Sequence, residues 1–286
     1  MKERKDRWKL FMEQDPAVKA MNVHRVNAFN GYRLNYKKDR RIALSSRMNI
    51  MRNTRRIHQE VATLGAVGCS ISHATIWKKI LASNAPYAVV MEDDATFTIK
   101  ELQQINELAK EIPGSAEVWL LGMTRGGSIR EPVPRSKWSK VYQFTASHAY
   151  VITRAAAKKF LEQVFPVEMH IDHYMSNMSV LYEIPMLHHD EFNIPYRGIL
   201  KKSSSTTTVE SNTSQHIKDG CSACHVPDHL SRFYRRVGPA TRKGRIVHGI
   251  LRDGIKKKVL TYSVLNRDQK KDLKEKEIGK VDETKD

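Results

Sequence analysis

Cysteine is scarce. Three in 286 residues are too few for a disulfide framework, so a reducing compartment, the cytoplasm, is expected. Long apolar runs are also missing: no stretch approaches the roughly 20 consecutive apolar residues that a membrane-spanning helix needs. The opening Met1-Lys2-Glu3-Arg4-Lys5-Asp6-Arg7 is charged and no apolar run comes after it, which argues against a secretory signal in the sequence as it stands. With 14 glycines and 10 prolines, collagen-like and mucin-like chains are excluded. What is present is enough apolar content, 40%, for a sizeable core in one large domain or two small ones.

Negative charge is in short supply as well. Lys and Arg number 49 against 31 Asp and Glu, a net +18. The excess is uneven: residues 1–60 carry +10, residues 61–200 carry −1, residues 201–266 carry +9, and residues 267–286 are balanced. A near-neutral middle with basic flanks suits an anionic partner: a nucleotide diphosphate, a nucleic acid or an anionic membrane surface.

The middle alternates helix and strand patterns. Ile71, Ala74, Trp77, Ile80 and Leu81 fall at helical spacing, with Ser72 as the expected N-cap and Asn84-Ala85-Pro86 as the stop. Tyr87 to Met91 is a short continuous apolar run, as expected of a strand covered on both faces. Thr98-Ile99-Lys100-Glu101 is a capping-box pattern that opens a helix with the stripe Ile99, Leu102, Ile105, Leu108 and Ile112. Val118 to Leu121 reads as the next strand, running into a loop from Gly122 to Ser128. Ser147 to Ile152 reads as a third, with a helix after it from about Arg154 to Val164. This rhythm predicts an α/β fold, a mostly parallel central sheet with flanking helices. After residue 200 the pattern weakens. Residues 211–266 form a basic extension, and residues 267–286 a charged tail with almost no apolar content, expected to be disordered or a solvated helix.

The most informative feature is Glu92-Asp93-Asp94, three acids directly after an apolar strand. In open α/β sheets, ligands bind beyond the carboxyl ends of strands. Crowded carboxylates repel one another unless a cation sits among them, and Mn²⁺ or Mg²⁺ takes such oxygen ligands and can bridge to a diphosphate. The plainer reading is a solvated acidic turn ahead of the helix that Thr98 caps.

The surroundings of this turn resemble glycosyltransferase family 25, which includes lipooligosaccharide and procollagen galactosyltransferases. Gly65-Ala66-Val67-Gly68-Cys69-Ser70-Ile71-Ser72-His73, then Trp77, then the apolar strand ending in Glu-Asp-Asp, is similar to the family's G-E-x-G-C-x-x-S-H string with its Trp helix and acid-tipped strand. Asp6-Arg7-Trp8, Ala28-Phe29-Asn30-Gly31, Val118 to Gly122, Ser147-His148-Ala149-Tyr150 and Ile171-Asp172-His173-Tyr174-Met175 match further family segments in order, over about residues 1–210. Ala66 stands where the family has Glu and Asn30 where it has Asp, and the family's first strand would fall before Met1. The resemblance implies a GT-A type domain, a UDP-sugar donor, a divalent metal held by Glu92, Asp93 and Asp94 with Asp94 the direct ligand, and inversion at the transferred sugar. It also implies that Asp172 faces the acceptor as base, with Asp190 or Glu191 as fallbacks. The alternative for Asp172 is a helix N-cap before His173 to Val180. Asn30, Gly31, Ser72, His73 and His148 become candidates for the nucleotide-sugar pocket. His73 and His148 read just as well as satisfied buried groups.

Other signals are weaker. Cys221-Ser222-Ala223-Cys224-His225 has the form of a haem or zinc string, with His216 and His229 nearby; an incidental pair of thiols is the simpler reading. His188-His189-Asp190 could add a metal ligand, since neutral imidazole binds Mn²⁺, but an exposed loop is the simpler reading. Arg52, Arg55 and Arg56 are candidate phosphate contacts. The expected function is transfer of galactose or glucose to a glycan or protein hydroxyl, with the basic flanks at an anionic membrane surface. The alternatives are a catalytically inactive relative acting as a binding module and, less in keeping with the motifs, a nucleic-acid-binding protein.

Overall fold

The structure, a computed structural model, describes residues 4–20, 23–53, 55 and 59–197. The Cys221–His225 string, the basic extension and the charged tail lie outside the described residues. In chain order the elements are α1 (Lys5–Met12), α2 (Pro16–Ala20), a 3-10 turn (Gly31–Arg33), α3 (Leu44–Arg52), α4 (Leu64–Ala82), β1 (Tyr87–Met91), α5 (Ile99–Glu111), β2 (Val118–Pro132), β3 (Trp138–Thr153), α6 (Arg154–Gln163), α7 (Ile171–Leu181) and β4 (Met186–His189).

The fold is mixed α/β with helices on both faces of a central sheet, but the sheet is mostly antiparallel, not parallel as expected. Its order is β1-β3-β2-β4. β3 runs antiparallel to β1, β2 and β4, and the parallel pairing is that of β2 with β4. The reason lies in the connection. Parallel neighbours need a crossover of a dozen or more residues. β2 and β3 are joined only by Val133 to Lys137, closed by Val133 N–H donating to the Trp138 carbonyl at 2.8 Å, with Arg135 at φ 60°. The expected loop at Gly122 to Ser128 is instead strand, irregular in register, that carries β2 on into this hairpin.

Side chains alternate across the sheet with the two-residue period of a strand. Val118 and Leu120 of β2, with Tyr150 and Ile152 of β3, join a core with Trp77 and Ile80 of α4, Phe160 of α6 and Met175 and Met178 of α7. Trp119 and Leu121 face the other way, onto Phe11 of α1, Ile105 and Leu108 of α5, and Ile194. β1 is not covered on both faces. It is an edge strand, with Tyr87 and Val89 exposed and Val90 buried.

Local signals are realised where only local chemistry is at stake. The Thr98/Glu101 capping box forms and opens α5. α4, however, starts at Leu64 on the cap of Thr63, whose Oγ1 accepts from Ala66 N–H. Ser72 is therefore mid-helix and not an N-cap. His188 and His189 are fully buried in β4, not in an exposed loop.

Candidate functional site

Glu92, Asp93 and Asp94 come directly after β1 and are held in a turn. Glu92 N–H donates to the His148 carbonyl at 2.7 Å, and Ala95 N–H closes back onto the Glu92 carbonyl. The segment after β4 is stitched over the turn: Thr96 N–H donates to the Pro195 carbonyl, and Arg197 N–H to the Asp94 carbonyl. The acids thus sit at the carboxyl end of a strand, wedged between β3 and residues 194–197.

Each acid has a different environment. Asp94 is 5% exposed; Arg7 Nη2 lies 2.9 Å from its Oδ2, while Oδ1 is buried with no hydrogen-bond partner. Burial first, and then the charge of Glu92, push its carboxyl up to about 7 against the opposing pull of Arg7. Asp93 is partly exposed and shares the same Arg7 nitrogen at 2.5 Å. Glu92 is half-buried, with Oε1 3.5 Å from His73 Nε2. Burial raises its pKa, but the hydrogen bond from His73, aided by the charge of Arg7, outweighs this and leaves it lowered.

His73 is fixed from behind. Trp77 Nε1–H, which can only donate, points at Tyr150 Oη at 3.1 Å, and Tyr150 Oη lies 2.8 Å from His73 Nδ1. Burial keeps the Tyr150 hydroxyl protonated, so its proton goes to His73 Nδ1, and His73 Nε2–H faces Glu92. His148 is oriented the opposite way: its Nε2–H donates to the Ile194 carbonyl at 2.6 Å, which leaves Nδ1 buried without a partner. Burial lowers its pKa, so the ring is neutral.

The candidate nucleotide residues Asn30, Gly31 and Ser72 are brought together. Ser72 Oγ donates to the Gly68 carbonyl at 2.7 Å and accepts from Phe29 N–H at 2.8 Å. Asn30 Oδ1 accepts from Tyr32 N–H and caps the 3-10 turn. Replacing Ser72 with alanine should leave the Phe29 amide unpaired and cost about 1–3 kcal/mol. A urea midpoint that falls with an unchanged m value would show it; an unmoved midpoint would show that this hydrogen bond holds nothing.

Asp172 is the second residue of α7, not its cap; His170 precedes the helix. Its Oδ2 accepts from Ala146 N–H at 3.0 Å and its Oδ1 from its neighbour His173 N–H at 2.8 Å. Burial raises its pKa, but the charges of His173 and His170 and these two amides bring it below the ordinary carboxylate value. Glu92 of the acidic turn lies beside Cys69 of α4. Burial first, then the charges of Glu92, Asp172 and Asp94, raise the Cys69 thiol well above its usual value, which fits a small apolar residue packed, partly buried, against the core. Asp190 stands apart: its carboxylate is taken by Ser139 Oγ at 2.9 Å and by Arg130 at 2.9 Å, while Glu191 pairs with Lys137.

Among the described residues, the His, Cys, Asp and Glu ligand atoms lying within 4.8 Å of one another belong to Cys69, His73 and Glu92. Asp93 and Asp94 stand beside this group on Arg7. Among the described residues, Arg7 pairs with the Asp93 and Asp94 carboxylates and Arg197 with their carbonyls, and the sequence assigned neither to the site; Arg56 lies outside the described residues. Arg7 falls in a matched segment, but no local pattern marks its role. Nothing in the sequence marks Arg197. No described helix is long and apolar enough to cross a membrane.

The family model described as "Glycosyltransferase family 25 (LPS biosynthesis protein)" matches residues 1–175. A procollagen galactosyltransferase 1-A of Xenopus laevis is 31% identical over 110 residues, covering 36% of this chain and 18% of that protein. A glycosyltransferase 25 family member of Aedes aegypti is 29% identical over 133 residues, covering 42% of this chain and 21% of that protein. The chain thus spans about a fifth of the length of the curated relatives it matches.

Proposed function

Because the chain belongs to glycosyltransferase family 25, we propose that it is a metal-dependent, inverting glycosyltransferase of GT-A type. It moves galactose or glucose from a UDP-sugar to a hydroxyl on a glycan or protein. The family description and the names of the relatives support the glycan, the protein acceptor and galactose as the classes to try first. The observation that carries the reading is that Glu92 of the acidic turn lies beside His73 and Cys69 of α4, the helix whose Ser72 also holds the chain at Phe29, next to Asn30 and Gly31.

In the proposed reaction the acceptor oxygen attacks the anomeric carbon from the face opposite UDP. The bond from that carbon to the diphosphate oxygen breaks, its electron pair leaves with UDP, and the acceptor proton passes to the Asp172 carboxylate. The charges of His173 and His170, with the two amides, hold Asp172 ionised, and the amides orient it for this. Asn30 and Ser72 shape the nucleotide side of the pocket, and Glu92, backed by His73, Tyr150 and Trp77, fixes the turn.

Support for a hard divalent ion comes from Asp94 Oδ1, a buried carboxylate oxygen without a partner, with the Glu92 carboxylate two residues before it in the same turn. A bound Mn²⁺ or Mg²⁺ would supply Lewis-acid stabilisation to the departing diphosphate. Basic residues of the N-terminal part supply charge for holding the protein at an anionic surface.

Asp172→Asn should lower kcat about a hundredfold, the low end for a general base because its pKa is already depressed, with UDP binding retained. The assay is Mn²⁺-dependent transfer or hydrolysis across a UDP-sugar panel. Full turnover by the variant would remove Asp172 from the role.

One observation favours a second reading. Arg7 bridges Asp93 and Asp94, which suits a relative that binds nucleotide without turning it over. UDP binding with no hydrolysis or transfer across the whole donor panel would select this reading over the first.

A further inference from the structure

Two guanidinium groups flank the acidic turn, and each is only partly used. Arg7 spends Nη2 on Asp93 and Asp94, and its Nε is buried without an acceptor. Arg197 spends its backbone N–H on the Asp94 carbonyl and Nη1 on the Asp93 carbonyl at 3.2 Å, and its Nη2 is buried without an acceptor. A buried donor left unpaired costs free energy, more so on a charged group. Asp94 Oδ1, the nearby orphan acceptor, is met by neither nitrogen. The two cations are also close enough to act on each other. Burial depresses the Arg197 pKa most; Asp94 opposes this, and the charge of Arg7 lowers it further.

From this we propose that Arg7 and Arg197 form a two-pronged receptor for the diphosphate of the donor, with Arg7 Nε and Arg197 Nη2 as the waiting donors. Guanidinium is the chemistry for the task. It is always charged, planar, and presents several N–H groups in a fixed fork that matches phosphate oxygens. An anion lying between the two prongs satisfies both orphan donors at once and removes the repulsion between the cations. The arrangement also explains why a turn with three acids can sit at an anion site: Arg7 offsets Asp93 and Asp94 with one nitrogen and presents another. Arg197 reaches the site only because residues 194–197 are stitched onto Leu121 and the turn. The inference rests on reading this turn as the diphosphate end of a donor site.

A purely structural role, neutralising the acids, needs only the charge. A receptor needs the fork. Arg→Lys substitutions separate the two, since lysine keeps the charge and loses the fork. The full chain is titrated calorimetrically with inorganic pyrophosphate, UDP and uridine, in EDTA and then in Mn²⁺. Thermal midpoint and far-UV spectrum confirm folding. Arg7→Lys and Arg197→Lys should each weaken pyrophosphate and UDP about tenfold or more, the scale of a lost hydrogen bond to a charged group. Uridine binding should not change. If Arg7→Lys fails to fold, Arg197→Lys alone decides.

Unchanged pyrophosphate affinity in the folded variants overturns the receptor, while UDP binding by the wild type leaves the donor-site reading standing. Pyrophosphate binding that the variants lose, in a protein that transfers no sugar, upholds the receptor and sinks the transferase. No binding of pyrophosphate or UDP by the wild type, with or without Mn²⁺, overturns both.

Discussion

Asp94→Asn is expected to lower sugar transfer about a thousandfold, the scale of losing a principal charge-stabilising contact at a transition state, and at the same time to make the metal-free protein more stable above neutral pH. The second effect comes from burial. Asp94 has a folded pKa of about 7 against an ordinary value of 3.8, so the folded protein holds this proton more tightly than the unfolded chain does. Stability from this group is therefore fully present below about pH 4 and is lost as pH rises through 7. At higher pH the ionised, buried carboxylate costs on the order of 4 kcal/mol. Asparagine keeps the shape and never ionises. Its advantage over the wild type should be near zero at about pH 4 and greatest above pH 7, read by urea unfolding in EDTA. Parallel stability–pH curves for the two proteins would refute the burial argument. Undiminished transfer would refute the placement of Asp94 at the diphosphate end.

The second large effect belongs to Gly31. A Cβ there would lie 1.8 Å from the carbonyl oxygen of Leu64 and 3.1 Å from Gly68 N, both backbone atoms. Gly68 faces it from α4, and a Cβ on Gly68 would meet the Phe29 carbonyl at 2.7 Å and Gly31 N at 2.8 Å. The chain at Asn30–Gly31 and the first turns of α4 therefore touch backbone to backbone, and no side-chain rotation relieves a methyl group between them. Gly31→Ala should cost about 3 kcal/mol, the upper end for overpacking, and lower the thermal midpoint by about 10 °C. It should also abolish UDP binding, because the Asn30 turn must lift from Ser72. Gly114→Ala is the control, since a Cβ there meets nothing within 4 Å. Equal midpoints for the two alanine variants would show that this contact is not tight in solution.

The parts of the site legible in the sequence were those carried by short strings. Glu92-Asp93-Asp94 after an apolar run placed the acids at a strand end, and they are there. The spacing of Ile71, Ala74, Trp77, Ile80 and Leu81 gave the helix, but with Ser72 expected at its N-cap; the helix begins earlier because Thr63 caps it, which puts Ser72 inside it. The sequence did not separate a parallel sheet from an antiparallel one. The irregular stretch Gly122 to Ser128 looks like a loop when it is half of a hairpin whose turn lies farther on. The sequence put Asp172 ahead of Asp190 as base through the resemblance alone, with no sign of what each carboxylate would meet. Asp190 is drawn off by Ser139 Oγ and Arg130, partners 51 and 60 residues away.

Residue order was enough to give the family, the acid-tipped strand, the capped helix after it and the excess of basic charge, because each depends on neighbours along the chain. It took the folded arrangement to show which acid is buried, which way His73 and His148 present their protons, and that Arg7 and Arg197 meet at the turn. Burial and hydrogen-bond partnership come from residues distant in sequence: Ser72 meets Phe29 across 43 positions and His73 meets Tyr150 across 77. A carboxylate's proton affinity is set by what surrounds it after folding, and no local pattern encodes that.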